Sequence, residues 1–216
     1  ILSSIAFGQF VDYNDIYTEG ITNISSTDIR YAEVLESVIK LLAISRREGD
    51  RIVARVSPAI IHRSHALARV DDVFNAILVS GDAIGDVMFY GRGAGKLPTA
   101  SAVVGDVIEI AKRVDSGNGY VWHTKAGKQV LDVSEMQTRY FMRVKVRNAQ
   151  EARHFIEGVF GRCQYVEIAM EKESHKELAF ITPSAAEGKL REGVEKLKGV
   201  GSIGAVLTII RVESSN

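Results

Sequence analysis

The chain has 216 residues, enough for one large or two small domains with real cores. Its 27 Lys and Arg balance 27 Asp and Glu, so nothing in the charge suggests a basic nucleic-acid-binding field or an acidic tail. One cysteine excludes an internal disulfide framework and fits a reducing, cytoplasmic compartment, and no apolar run is long enough to span a bilayer. The chain does not start with methionine, and ILSSIAFG lacks the basic leader of a signal peptide, so it reads as a piece of a longer protein.

Residues 1–7 are apolar and small, suited to the end of a buried helix, with Gly8 as its stop. Glu19, in Tyr17-Thr18-Glu19-Gly20-Ile21, is the one tempting catalytic carboxylate here, although a turn contact beside Gly20 accounts for it more simply. Ser25-Ser26-Thr27-Asp28 starts a helix, with Thr27 or Asp28 placed to cap it. Apolar residues at 32, 35, 38, 39, 42 and 43 extend that helix over 29–45, and Arg46-Arg47-Glu48-Gly49-Asp50 closes it with cations and glycine. The arginine pair is either a solvated last turn or a phosphate clamp. Residues 51–56 alternate as a strand that Pro58 ends. His62 and His65 lack the further ligands a metal site needs, so no metal is expected.

Residues 73–79 and 86–90 read as two more strands, which with the first would form a sheet covered on one face by helices. The loop Gly91-Arg92-Gly93-Ala94-Gly95 follows. Its glycines can take positive φ and let a ligand approach the backbone. Pro98 suits the first turn of a helix over 98–114, whose apolar face includes Ala102, Val103, Val107 and Ile110. A glycine loop feeding a helix N-terminus is a general anion site. Two phosphate motifs can be tested, and both fail. A P-loop needs glycine at Tyr90 and Ser or Thr at Leu97, and the dinucleotide fingerprint needs glycine at Lys96. A tight strand-to-helix turn remains the alternative reading.

Residues 115–137 are turn-rich and read as a linker anchored by Trp122. From 138 onward the pattern is strand 140–146, helix 149–160, strands 165–170 and 178–182 around a turn at 172–176, helix 186–197 and strand 203–212. That order, βαββαβ, is the ferredoxin-like arrangement of an α/β (α+β) fold. Cys163 and His154 have no nucleophile or base partner in sequence and read as structural.

Four runs in fixed order closely resemble the homoserine dehydrogenase family. They are Phe74-Asn75-Ala76-Ile77, Gly81-Asp82-Ala83-Ile84-Gly85-Asp86, Phe89-Tyr90-Gly91-Arg92-Gly93-Ala94-Gly95 and Leu97-Pro98-Thr99-Ala100-Ser101-Ala102-Val103-Val104. The resemblance implies that Gly95, with Gly93 and Ala94, lies against an NAD or NADP cofactor, and that the helix after it packs on a nucleotide-binding domain. It implies a sheet that forms the core of a homodimer. It also places the catalytic Asp and Lys, and a substrate-binding Glu, before Ile1, so that no catalytic residue is expected in this stretch and it alone should be inactive. The whole enzyme would interconvert L-homoserine and L-aspartate 4-semialdehyde in threonine, methionine and isoleucine biosynthesis.

Residues 138–216 resemble the ACT regulatory domain through Tyr140-Phe141-Met142-Arg143, Val159-Phe160-Gly161 and Ile210-Arg211-Val212-Glu213. Such domains bind an amino acid near the first strand-to-helix loop. Here Asn148, Gln150 and Glu151 stand where the family has Asp and Pro-Gly, and Asn148 loses the charge that would pair an ammonium. The resemblance implies threonine as the candidate effector, with those three residues as its site, although the departures there weaken the match. The resulting division is a catalytic and dimerisation region over 1–114, a linker over 115–137 and an ACT-like domain over 138–216. The alternative is a stand-alone amino-acid-sensing or dimerising module. Neither reading calls for a nucleic-acid or membrane partner.

Overall fold

The computed structural model describes residues 1–114, 130–168 and 177–213. Two compact units result: Ile1–Arg63 with His123–Asn216, and Ser64–Trp122. In the first unit the N-terminal elements are α1 (Leu2–Phe7), β1 (Tyr17–Thr18), α2 (Ser26–Val34), β2 (Ser37–Glu48) and β3 (Arg51–His62). The second unit holds β4 (Phe74–Gly81), β5 (Gly85–Arg92) and α3 (Lys96–Lys112). The first unit resumes with β6 (Gln137–Thr138), β7 (Tyr140–Val146), α4 (Ala149–Phe160), β8 (Gln164–Val166), β9 (Glu177–Ile181), β10 (Ala185–Ala186), α5 (Glu187–Lys198) and β11 (Ile203–Val212). The expected turn at 172–176, the end of the strand expected over 165–170, and Trp122 lie outside the described residues.

The C-terminal segment has the expected ferredoxin-like topology, with strands in the order β11-β7-β9-β8. Alternation along β7 sends Tyr140, Met142, Val144 and Val146 to the face covered by α4 and α5, where they pack with Ala152, Ile156, Leu190, Val194 and Leu197. Phe141 points the other way, with Ala179, Ile181 and Ile210. A four-stranded sheet with helices on one side would leave that second face in water. Tyr31 of α2, with Ile24 and Leu35 beside it, covers it instead. The sheet also continues past β11 into β3, which pairs with β11 in parallel and with β2 and β1, giving seven strands. The module is thus built into one sheet with residues 1–63. Val130, Leu131 and Met136, in the stretch read as linker, are buried in the same unit.

Three expectations for residues 25–60 are corrected. The cap is Ser25, whose hydroxyl accepts from the Asp28 N–H while Asp28 reaches back to the Ser25 N–H, a capping box. The helix stops at Val34, Glu36 takes a left-handed φ of 50°, and the chain becomes β2. Spacing at three and four misled because Val38, Ile39, Leu41, Leu42 and Ile44 also suit a strand. Twelve successive register pairs with β3, from Ser37 opposite His62 to Glu48 opposite Arg51, override the helical pattern. Arg46 and Arg47 therefore sit on a strand, Arg46 paired to Glu48 at 2.8 Å and Arg47 donating to the Phe7 carbonyl at 2.8 Å.

Pro58 does not end β3. The carbonyls of Val56 and Ile60 accept from Glu19 and Glu213, so a period of two turns the Pro58 nitrogen to that same edge. There β1 pairs with Arg55 and Val56, β11 pairs with Ala59 and Ile60, and Pro58 falls in the gap between them. Its missing N–H costs no ladder bond.

In the second unit, β4 and β5 pair along their full length through a turn at 82–84, with Gly85 at φ 69°. They form their own two-stranded sheet rather than joining β3, whose two edges are already taken by β2 and by β1 and β11. No residue of α3 is buried: Val103, Val107 and Ile110 are 57%, 60% and 67% exposed. Among the described residues no helix is long and apolar enough to cross a membrane.

Phe180 is fully buried between Phe160 and Tyr165, with ring centroids at 6.2 and 5.9 Å. Phe180→Ala should cost about 3–5 kcal/mol, read as a lower urea midpoint for the first unit.

Candidate functional site

Three places carry the residues that chemistry would use. The first is the glycine loop of the second unit. Gly93 donates to the Val73 carbonyl at 3.0 Å, and a Cβ there would fall 1.8 Å from the Asn75 side-chain nitrogen. Gly95 opens α3 at φ 120°, ψ 154°, a conformation close to glycine-only. No side chain caps that helix, so the first-turn N–H groups of Lys96 and Leu97 stay available, and Pro98 has none to satisfy. At the end of β5 the Phe74 and Tyr90 rings stack at 4.8 Å, and the Arg92 guanidinium sits 5.1 Å over Phe74. Bare backbone at 91, 93 and 95, followed by an uncapped N-terminus, fits a flat, anion-bearing cofactor.

The second place gathers Asn148, Gln150 and Glu151 at the start of α4, with His154, Phe155 and Ser202, around an open depression of about 670 Å³. Asn148 is already occupied. Its side-chain oxygen accepts from the Gln150 and Glu151 N–H groups at 3.1 and 3.3 Å, an ordinary N-cap. Nearby Cys163 is buried, and burial first, with Glu157 adding to it, pushes its thiol up to about 11, so it is no nucleophile at neutral pH.

The third place, in the first unit, was missed by sequence reasoning. Glu187, at the start of α5, is fully buried, and its carboxylate takes two guanidinium groups. Arg211 donates to both oxygens at 3.0 and 2.6 Å, and Arg191 donates to Oε1 at 3.0 and 2.6 Å. Arg211 reaches on to Glu19 Oε2 at 2.7 Å, which also accepts from the Tyr17 hydroxyl at 3.1 Å. The Tyr17 ring lies against both guanidiniums, 5.0 Å from that of Arg191 and 4.8 Å from that of Arg211. Burial alone would raise the Glu187 pKa, but hydrogen bonds and charge from Arg211 and Arg191 hold it below its usual value of 4.5. Tyr140 beside it is pushed up to about 12, by burial first and then by the Glu187 charge.

A second buried arginine ties β7 to the start of α2. Arg143 donates to Asp28 at 2.7 Å and to Glu177 at 3.0 Å, with its guanidinium 5.6 Å over the Tyr31 ring. Burial opposes ionisation of Asp28, and bonds from Ser25 and Arg143 outweigh it, so its pKa falls below 3.8. Arg55, also buried, pairs with Glu213. The signal for these residues was an arginine on an apolar alternating strand, Tyr-Phe-Met-Arg143-Val and Ile-Ile-Arg211-Val, since a buried charge requires a buried partner. Glu19 is therefore neither a free carboxylate nor a turn contact. Of the two histidines, His62 faces Glu36 at 3.6 Å and His65 accepts from the Leu67 N–H at 3.1 Å. No metal-holding cluster occurs among the described residues.

Removing one partner of the buried set should be costly. Arg211→Met or Glu187→Gln should each lower stability by about 3–5 kcal/mol, and the double variant by less than the sum. The folded-state values of Glu187 and Asp28 lie below their unfolded ones. Their stabilisation is therefore complete above 4.5 and is lost as pH falls through the folded values. Urea midpoints between pH 6 and 3 should show this acid loss, and Glu187→Gln should flatten it.

Comparison with known proteins supplies the identity. Residues 1–108 match the family model for homoserine dehydrogenase. The chain is similar to homoserine dehydrogenase of Corynebacterium glutamicum, 41% identical over 225 residues, covering 99% of this chain and 50% of that protein. Its likeness to the Neisseria gonorrhoeae enzyme is 33% over 226 residues, covering 99% of this chain and 52% of the other. A solved homoserine dehydrogenase from Thiobacillus denitrificans superposes with a TM-score of 0.82 at 30% identity, over 98% of this chain and 51% of that one. The chain spans about half the length of the curated relatives it matches. A family model matched over half its residues, with relatives and a solved structure alongside, places this chain in the homoserine dehydrogenase family.

Proposed function

We propose that this chain belongs to an NAD- or NADP-dependent oxidoreductase that interconverts L-homoserine and L-aspartate 4-semialdehyde, on the route to threonine, methionine and isoleucine. The observation that carries the reading is the glycine loop, whose family-like sequence from Phe89 to Val104 adopts a bare, positive-φ entry into α3. A bound nicotinamide cofactor would supply the hydride chemistry. The part of this chain's residues is positioning: Gly93 and Gly95 keep side chains out of the cofactor's way, Ala94 spaces them, and the Lys96 and Leu97 N–H groups offer donors to an anion. On this reading the carboxylates and lysine that handle the alcohol proton lie outside this stretch, and the enzyme works as a homo-oligomer, with a dimer as the simplest form.

The ferredoxin-like segment is read as an ACT-type regulatory part, with L-threonine as effector at the start of α4. Asn148 and its two N–H partners are the proposed contacts, and the open depression there supports access.

Purified alone, this chain should form no NADPH from homoserine and NADP, and homoserine-dependent turnover would overturn that part of the reading. Gly95→Ala should cost about 1–3 kcal/mol through its backbone alone. In the full-length enzyme it should also raise the cofactor KM several-fold while leaving the homoserine KM nearly unchanged. Calorimetric titration with L-threonine, against L-methionine and L-isoleucine, should give saturable heat that Asn148→Ala removes. A flat titration of folded chain would make the segment an assembly element.

A further inference from the structure

Side chains alternate along β4 and β5, so the hairpin of the second unit has two faces. Phe74, Tyr90 and Arg92 share one, which their ring stack and the guanidinium over it already fill. Asn75, Ile77, Phe89 and Gly91 share the other, with Asn75 directly opposite Gly91 and Ile77 opposite Phe89. Ile77 and Phe89 are 45% and 62% exposed, and a Cβ on Gly91 would meet nothing within 4 Å. The loop end of this face is open ground with one polar side chain on it, that of Asn75.

Gly93 decides where that side chain lies. Unlike Gly95 it has no positive φ, so its backbone conformation does not require glycine. Space does: a Cβ at 93 would fall 1.8 Å from the Asn75 nitrogen and 2.4 Å from its Cγ. The Asn75 amide thus occupies the place a side chain at 93 would take, two residues before Gly95. Among the described residues no hydrogen bond engages that amide, so its two N–H donors and its oxygen are open to a ligand. A neutral group with donor and acceptor side by side matches a partner that offers the same pair reversed. Phosphate is not such a partner, and the Lys96 and Leu97 N–H groups suit it better. On a nicotinamide dinucleotide, the adenine edge and the carboxamide both offer the pair. The adenosine ribose is read from the unit that carries the dinucleotide fingerprint, and here the fingerprint fails at Lys96. The carboxamide remains, the substituent of a flat ring for which Ile77, Phe89 and the bare Gly91 offer a floor.

We propose that Asn75 is the residue with which this loop reads the cofactor. Its amide pairs with the nicotinamide carboxamide, one N–H donated each way, and Gly93 is glycine so that this amide has its place. The assignment rests on the cofactor reading given above. Asn75 binds and orients the ring and moves no proton.

The test is calorimetric titration of the full-length enzyme with its preferred oxidised cofactor, NAD or NADP, and with the 3-acetylpyridine analogue, in which a methyl replaces the carboxamide NH2. Asn75→Ala should raise the cofactor Kd about five- to tenfold and leave the homoserine KM unchanged. For the analogue the rise should be less than half as large, because one of the two hydrogen bonds is already gone. Asn75 is exposed, so this variant should keep the parent's circular dichroism spectrum and Tm. Gly93→Ala should weaken the cofactor to a similar extent, and the double variant should bind no worse than either single one. Gly95→Ala separates this assignment from the reading it rests on. Weakening by Gly95→Ala but not by Asn75→Ala overturns the assignment alone, whereas no weakening by either overturns both. An equal loss for cofactor and analogue, or effects of Asn75→Ala and Gly93→Ala that multiply, would also overturn the role given to Asn75.

Discussion

The first unit depends on one carboxylate that water does not reach. Glu187 gains from its place in the first turn of α5, where the helix dipole favours a negative charge, but this alone would not repay its desolvation. Both oxygens must be occupied, and Arg211 and Arg191 occupy them. Arg211, fixed there, turns its third nitrogen to Glu19, 192 residues away in sequence. The last strand, the last helix and the short first strand are locked by one guanidinium. That lock explains why residues 1–63 and the C-terminal segment form one compact unit although a second unit interrupts them in sequence.

The arginine lock is polar, while the rest of the joint is apolar, and each needs the other. Tyr31 of α2 fills the face of the ferredoxin-like sheet that α4 and α5 leave bare, and Arg143 anchors the start of that same helix through Asp28. Packing determines that α2 lies there, and the ion pair determines its register. Between the α2 joint and the Arg211 joint the sheet cannot stay continuous, because β1 and β11 compete for the same edge of β3. Pro58 sits where neither strand can claim a hydrogen bond.

The second unit is built on the opposite principle. Its hairpin and α3 satisfy their backbone groups locally, yet none of the seventeen residues of α3 is buried. A helix of this length is marginal in water without an apolar face to pack, and Val103, Val107 and Ile110 form such a face. On the proposed reading that face belongs against another part of the enzyme, which would also bring Gly95 to the cofactor. The glycine loop is then positioned from outside the unit, while the Arg211 lock is positioned entirely from within its own.

What the amino-acid order disclosed follows the range of the interactions involved. The βαββαβ order, the helices at 149–160 and 187–198 and the glycine entry to α3 were readable because each is set by local periodicity, glycine or proline. Residues 37–45 were misread as helix because Val, Ile and Leu at mixed spacing satisfy both periods, and only the partner strand β3 decides between them. Pro58 was misread for the same reason: whether a proline breaks a strand depends on which edge its nitrogen faces, a property of the neighbours. The catalytic-looking Glu19 could not be interpreted without Arg211, its charged partner 192 residues away. A lone arginine inside each of two apolar strands did announce that buried counter-charges must exist. Naming Glu187 and Asp28 as those counter-charges required the sheet, because the contacts that neutralise a buried charge are chosen by topology rather than by sequence distance.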